Sequence, residues 1–163
     1  MVRKAREDEL GKLMEIYSVA RAFMARNGNP TQWGDTYPTE GQVEEDIALG
    51  RLYVVCDEKG TPHGAFAFIL GEDPTYQVID GAWPNERPYG TIHRMASDGA
   101  IHGVFSEALA FCVSVCPNVR ADTHLNNRPM RHLMEKNGFA QCGMINLGLR
   151  EGDTLRVAYQ REG

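Results

Sequence analysis

The stretch Arg120-Ala121-Asp122-Thr123-His124-Leu125-Asn126-Asn127-Arg128-Pro129-Met130, running on to Glu135-Lys136-Asn137-Gly138-Phe139, decides how the whole chain is read. Residues 119–124 make a short strand. Asn127 can cap the helix that follows, because its side-chain oxygen can accept a backbone N–H of the first turn. Pro129 is tolerated in that turn, where its missing N–H costs nothing. Met130, Leu133 and Met134 then fall on one buried stripe, and Gly138 supplies the C-terminal stop.

Upstream, the same logic gives a strand over 91–96, a glycine-bearing loop at Asp98-Gly99-Ala100-Ile101-His102-Gly103, and a helix stopped by Pro117. The inner face of that helix is expected to be Val104, Ala108, Phe111, Cys112 and Val115. Further towards the N-terminus, residues 52–56 and 64–70 form an antiparallel hairpin around Asp57-Glu58-Lys59-Gly60, and a third strand is expected over 76–80. Thr39 with Gln42 three residues on is a capping box for a short helix ending near Gly50. The first helix starts at Asp8 and buries Leu10, Leu13, Met14, Tyr17, Ala20 and Met24. Downstream, residues 144–149 and 154–160 read as a closing hairpin around Glu151-Gly152-Asp153. The order is strand, two helices, three or four strands, helix, strand, helix, two strands. That is a mixed α/β or α+β domain, with alternation too irregular for a doubly wound sheet.

The whole chain of 163 residues fits one domain, 1–163, with room for one core. Its 17 Lys and Arg against 22 Asp and Glu give a net charge of −5, which argues against general nucleic-acid binding and suits a cationic amine. The acidic N-terminus lacks the apolar stretch of a signal peptide, and no apolar run approaches the roughly 20 residues that span a bilayer. A reduced, soluble, cytoplasmic protein is expected, with neither nucleic acid nor membrane as partner. Cys112 and Cys116 sit at i and i+4 on a helix as small core residues, and the four cysteines contain no Cys-x-x-Cys pair. A zinc hydrolase built on His93, His124 and a cysteine is poorly spaced for its ligands, so no metal is expected.

The strand–glycine loop–helix from Ile92 to Cys116 is a candidate anion site, since a helix N-terminus offers unpaired N–H groups and a positive dipole end. An ordinary strand-to-helix turn favours glycine equally well. With the loop-helix at 97–116 beside the strand-Asn-helix-Asn-Gly-Phe stretch at 120–139, the chain resembles the GNAT acyltransferase family across nearly all its length. The resemblance implies a single-domain fold with a central mixed, mostly antiparallel twisted sheet of about seven strands and about four flanking helices. It also implies transfer of an acetyl group from acetyl-CoA to a primary amine of a small molecule or peptide, by direct attack in a ternary complex.

On that resemblance the pyrophosphate loop lies on Ala100-Ile101-His102-Gly103-Val104-Phe105. Gly103 matches the family pattern, whereas Ala100 stands where Gln or Arg is usual and Phe105 where a small residue is usual. Met95, Ala96 and Ser97 would form the splayed strand that pairs with the pantetheine arm and offers an oxyanion N–H, and Asn127 would touch the cofactor. Met134 replaces the tyrosine that many members use as an acid. His93, on the strand lining the family's substrate channel, is the first candidate base, and His124, two residues after Asp122, the second. Trp33, Tyr37, Trp83 and Tyr89 would rim the acceptor pocket with Asp122. A homodimer is possible through the C-terminal strands. The alternative function is a non-catalytic acyl-CoA-binding or protein-interaction module on the same scaffold.

Overall fold

A computed structural model describes residues 1–148 and 153–163. The chain order is β1 (Val2–Lys4), α1 (Leu10–Arg26), α2 (Glu40–Ala48), β2 (Leu52–Cys56), β3 (Pro62–Leu70), β4 (Asp80–Gly81), β5 (Gly90–Ser97), α3 (Val104–Val115), β6 (Val119–Thr123), α4 (Arg128–Lys136), β7 (Ala140–Asn146) and β8 (Leu155–Arg161). All eight strands join one sheet in the order β1-β2-β3-β5-β6-β8-β7-β4. Every pairing is antiparallel except β5 with β6. The expected mixed, mostly antiparallel sheet with four α-helices is therefore present, with one more strand than anticipated.

The local signals act largely as read. Thr39 Oγ1 accepts the Gln42 N–H at 3.1 Å, but the Gln42 side chain turns to Asp46 instead of completing the box. Asn127 Oδ1 accepts the Met130 N–H at 3.2 Å and caps α4, and Gly138 follows its end at φ 91°. One face of the sheet packs on α3 and α4 around Phe66, Phe68, Ala108, Cys112 and Phe139; the other packs on α1 around Leu13, Ile16, Tyr17 and Val54. Gly64 lets α3 lie close on β3, since a Cβ there would stand 2.4 Å from Val104 Cγ1.

Three expectations change. The strand over 76–80 is absent: the Asp73 carboxylate accepts both donors of Thr75 and starts a single 3₁₀ turn at Pro74–Tyr76, leaving only the two-residue edge strand β4. The penultimate strand begins at Ala140 rather than 144, because a bulge between Gln141 and Gly143 breaks the period-two pattern that would have revealed its start. Leu149 and the turn at Glu151-Gly152 lie outside the described residues. Val115 is exposed, and Phe105 and Leu109 take its place on the buried face of α3.

The register of β5 positions everything that follows. It pairs with β6 only at Gly90–Val119, Thr91–Arg120 and Ile92–Ala121, yet β5 continues to Ser97 and β6 to Thr123. The two strands thus part from His93 and Asp122 onward. A bulge drives the separation: Ala67 faces His93 and Ala65 faces Ala96, so Arg94 and Met95 share the space opposite one residue. Arg94 takes φ 52°, the left-handed region, which a non-glycine residue enters only under constraint. Its constraint is visible: Asp46, with no solvent exposure, accepts Arg94 Nε at 2.7 Å and Nη2 at 3.0 Å, and the Tyr17 hydroxyl donates to the Arg94 carbonyl at 2.8 Å.

Candidate active site

The wedge between β5 and β6 is a cavity of about 250 Å³. Ile92, His93, Arg94 and Met95 form one wall, and Ala121, Asp122 and Thr123 the other. Phe105 and Met134 come from the helices, while Trp33 and Tyr37 come from the loop between α1 and α2.

His93 stands on this wall. Its Nε2 lies 2.7 Å from Asp73 Oδ2, and the other carboxylate oxygen accepts the Thr75 N–H at 2.9 Å and hydroxyl at 2.7 Å. Burial alone would raise the Asp73 pKa, but the bonds from His93 and Thr75 outweigh it and hold it at about 2. An ionised carboxylate can only accept, so Nε2 carries a proton, and Nδ1, which has no partner among the described residues, holds the lone pair whenever the ring is uncharged. The Asp73 N–H donates to the Tyr89 oxygen at 2.8 Å, which fixes the carboxylate from behind. Asp73 was not a sequence candidate. The Asx-type signal in Asp73-Pro74-Thr75 was available, but its pairing with a histidine twenty residues away was not.

His124 takes no part in the cavity. Its Nδ1 accepts the Asn126 N–H at 2.9 Å and its Nε2 pairs with Asp153, so both nitrogens are engaged. Asp122 does not pair with His124; its Oδ2 accepts the Tyr76 hydroxyl at 2.6 Å. His93 and His124 are thus committed to separate aspartates. Among the described residues no three His, Cys, Asp or Glu side chains group to hold a metal ion. Burial pushes the Cys112 thiol up to about 12, which makes it an inert core group.

The expected aromatic rim divides in two. Trp33 and Tyr37 do line the cavity, packed edge to face at 6.4 Å between ring centroids. Trp83 and Tyr89 do not: they clamp the Arg120 guanidinium at 4.0 and 3.9 Å, and Arg120 donates onward to Gln160 and to the Asn85 carbonyl. A buried arginine on β6 needs such faces and carbonyls to replace its water.

At the other end of the wedge, residues 98–103 lead into α3. Gly99 and Gly103 have φ 78° and 73°, and nothing lies within 4 Å of where a Cβ would stand at either. No side chain caps α3. The turn is held from within: Ser97 Oγ accepts the Gly99 N–H at 3.1 Å, and Asp98 Oδ1 the Ala100 N–H at 2.9 Å. Asp98 Oδ2 in turn meets His63 Nδ1, and His63 Nε2 meets Asp57, both at 2.9 Å. Open space beside an uncapped helix start with left-handed glycines suits a phosphate group. Ala100, His102 and Gly103 are exposed there and Ile101 is partly so, whereas Val104 and Phe105 are buried, Phe105 with its ring against the cavity. On the strand, Met95 faces the cavity, Ala96 is buried against α1, and Ser97 closes the turn. Asn127 lines the cavity with both polar atoms engaged: besides capping α4, its Nδ2 donates to Gln32 Oε1 at 3.1 Å. Gln32, another residue without a sequence signal, ties the loop after α1 to the end of β6 through Thr123 and the His124 N–H.

No protein-family profile and no curated protein sequence matches the chain. Solved structures do. An acetyltransferase of the GNAT family from Streptococcus agalactiae is 29% identical, with a TM-score of 0.85 over 100% of this chain and 95% of that one. A GNAT-family acetyltransferase from Listeria monocytogenes is 18% identical, with a TM-score of 0.69 over 100% and 94%. A phosphinothricin acetyltransferase from Sinorhizobium meliloti, solved with acetyl-CoA, is 18% identical, with a TM-score of 0.65 over 99% and 86%. No helix among the described residues is long and apolar enough to cross a membrane.

Proposed function

We propose that the chain, similar over its whole length to a GNAT-family acetyltransferase, moves an acetyl group from acetyl-CoA to a primary amine of a small molecule or peptide, by direct attack in a ternary complex. The observation that carries the reading is the Asp73–His93 pair on the splayed wall of a cavity that also reaches Phe105, in the first turn of the uncapped helix α3. Acetyl-CoA supplies an acetyl group activated as a thioester. The backbone N–H groups from Ile101 to Phe105, with Gly103 at their centre, hold the pyrophosphate. The main chain at Met95, Ala96 and Ser97, freed from β6, receives the pantetheine arm and offers a donor to the thioester oxygen.

His93 acts as base through Nδ1, while Asp73 fixes the tautomer and steadies the imidazolium that forms. The amine's new N–C bond forms as the C–S bond breaks, one amine proton passes to His93, and the sulfur leaves with the electron pair. A thiol of pKa near 8.5 departs readily as thiolate, so the apolar Met134, 3% exposed where the family often places a tyrosine, does not block the step. Holding both reactants in one wedge contributes a large share of the rate, since effective molarities reach about 10⁵ M or more.

The same Met134 favours a second reading, a non-catalytic acyl-CoA-binding or interaction module. Calorimetric titration with acetyl-CoA, CoA and dephospho-CoA tests the shared premise. The proposal expects acetyl-CoA affinity in roughly the micromolar to sub-millimolar range. No heat at millimolar ligand overturns both readings, and binding without turnover on any amine leaves the second.

A further inference from the structure

Charge across the protein is unevenly compensated. Six carboxylates at least partly withdrawn from water face a basic partner: Glu9 meets Arg3, Asp46 meets Arg94, Asp57 and Asp98 share His63, Asp73 meets His93, and Glu107 meets the amino terminus. Among the described residues Asp122 is the seventh partly or fully buried carboxylate, and it has none. Among the described residues its side chain makes one hydrogen bond, from the Tyr76 hydroxyl to Oδ2, and Oδ1 has no partner. Tyr76, 2% exposed, is held far above the usual phenol range by burial and by the Asp122 charge, so it stays a neutral donor and supplies no positive charge. The other cavity-lining cations are committed: Arg94 to Asp46, and Arg156 to the carbonyls of Gln32, Asp153 and Leu155.

A charge drawn out of water without a counter-ion is costly, and such groups are retained where a ligand completes them. Asp122 lies where β6 leaves β5, in the same cavity as His93, and the Tyr76 ring that holds it stands 6.3 Å from the His93 ring. We infer that Asp122 is the counter-charge of the acceptor: the amine docks as its ammonium ion, donates an N–H to Asp122 Oδ1, and so presents a second N–H to His93. The inference rests on the acyl-transfer reading for its second half only; ammonium binding at Asp122 stands by itself. Proton transfer to His93 leaves a neutral amine still bonded to Asp122, with its lone pair directed by that bond; the second proton, lost as the amide forms, passes to the departing thiolate. The cavity, at about 250 Å³, lies below the usual range for drug-sized ligands, so the cationic group enters as a compact primary ammonium.

Asp122→Asn tests this, because the amide keeps an acceptor for Tyr76 and removes only the charge. The probes are benzylammonium, its neutral isostere benzyl alcohol, and hydroxylamine, a nucleophile that is neutral at neutral pH. The wild type should bind benzylammonium in preference to benzyl alcohol, and the variant should lose that preference. KM for benzylamine should rise about 10- to 100-fold, as expected for a hydrogen bond to a charged group, with a smaller loss on hydroxylamine. The acetyl-CoA Kd and the melting temperature report whether the fold is kept. Turnover of benzylamine with equal KM in both proteins overturns the inference while leaving acyl transfer intact. Preferential ammonium binding lost in the variant, without turnover in either protein, upholds Asp122 and overturns the catalytic reading. Neither binding nor turnover of benzylammonium by the wild type overturns both.

Discussion

Asp73 accepts the His93 Nε2 proton at 2.7 Å and sits in turn on two donors from Thr75, so a carboxylate with a pKa of about 2 orients the only histidine on the cavity wall. A carboxylate behind an imidazole fixes which nitrogen carries the proton and stabilises the charged ring. Asp73→Asn should therefore lower kcat by about 10- to 1,000-fold, somewhat less than removing the base itself. The acetyl-CoA Kd should change little, since Asp73 lies away from the 98–103 loop. Steady-state kinetics beside calorimetry checks both halves.

The same pair has a signature in stability. The folded pKa of Asp73 is depressed, so the stability it contributes is present above the unfolded value of about 3.9. That contribution is lost as pH falls through about 2. The melting-temperature gap between wild type and Asp73→Asn should thus be fully open at about pH 4 and close as pH falls below it. A gap that persists at the acid end contradicts the assignment.

His63 behaves in the opposite sense. Its hydrogen bonds to Asp98 and then to Asp57 raise its pKa, because two ionised carboxylates ask both ring nitrogens to donate. The stability it contributes is complete below the unfolded value of about 6.5 and is lost as pH rises through the raised folded value. His63→Gln should therefore cost most in mildly acidic buffer and least in alkaline buffer, as thermal melts across pH will show.

Gly103 separates backbone strain from ligand contact. At φ 73° with open space around it, an alanine costs about 1–2 kcal/mol in the left-handed region without a steric clash. Gly103→Asp should lose less stability than Gly103→Ala, because aspartate tolerates that region better and its charge meets the positive end of α3. Only the aspartate should weaken acetyl-CoA strongly, because it places a negative charge where the pyrophosphate is proposed to bind.

The sequence revealed what depends on neighbours along the chain. Asn127, Gly138, Thr39 and the 52–70 hairpin act as local chemistry dictates. It hid what depends on contacts distant in sequence. Nothing local reveals that Asp73 meets His93, that Gln32 reaches Asn127, or that Arg120 draws Trp83 and Tyr89 away from the cavity. Phe105 serves two surfaces at once: it opens α3 beside the glycine loop, while the stripe of α3 carries its ring into the core at the edge of the cavity. His124 and Asp122, adjacent in one strand pattern, part company because Asp153 and Tyr76 claim them separately.

Trp83 offers a direct check of that correction. Trp83→Leu removes one face of the Arg120 clamp and a contact with Tyr76 at 5.1 Å, so it should cost about 1–3 kcal/mol of stability. The KM for the amine should stay near the wild-type value once the protein is folded. A large rise in KM without a fall in melting temperature would return Trp83 to the acceptor wall.

The most direct test of the central claim is amine-dependent release of CoA from acetyl-CoA, followed for wild type and His93→Gln across a panel of small primary amines. The account predicts steady turnover with at least one amine, an acetylated product of matching mass, and a loss of about 10²- to 10⁴-fold in the variant. Equal rates in the two proteins, or acetyl-CoA binding with no acetylated amine from any member of the panel, would contradict it.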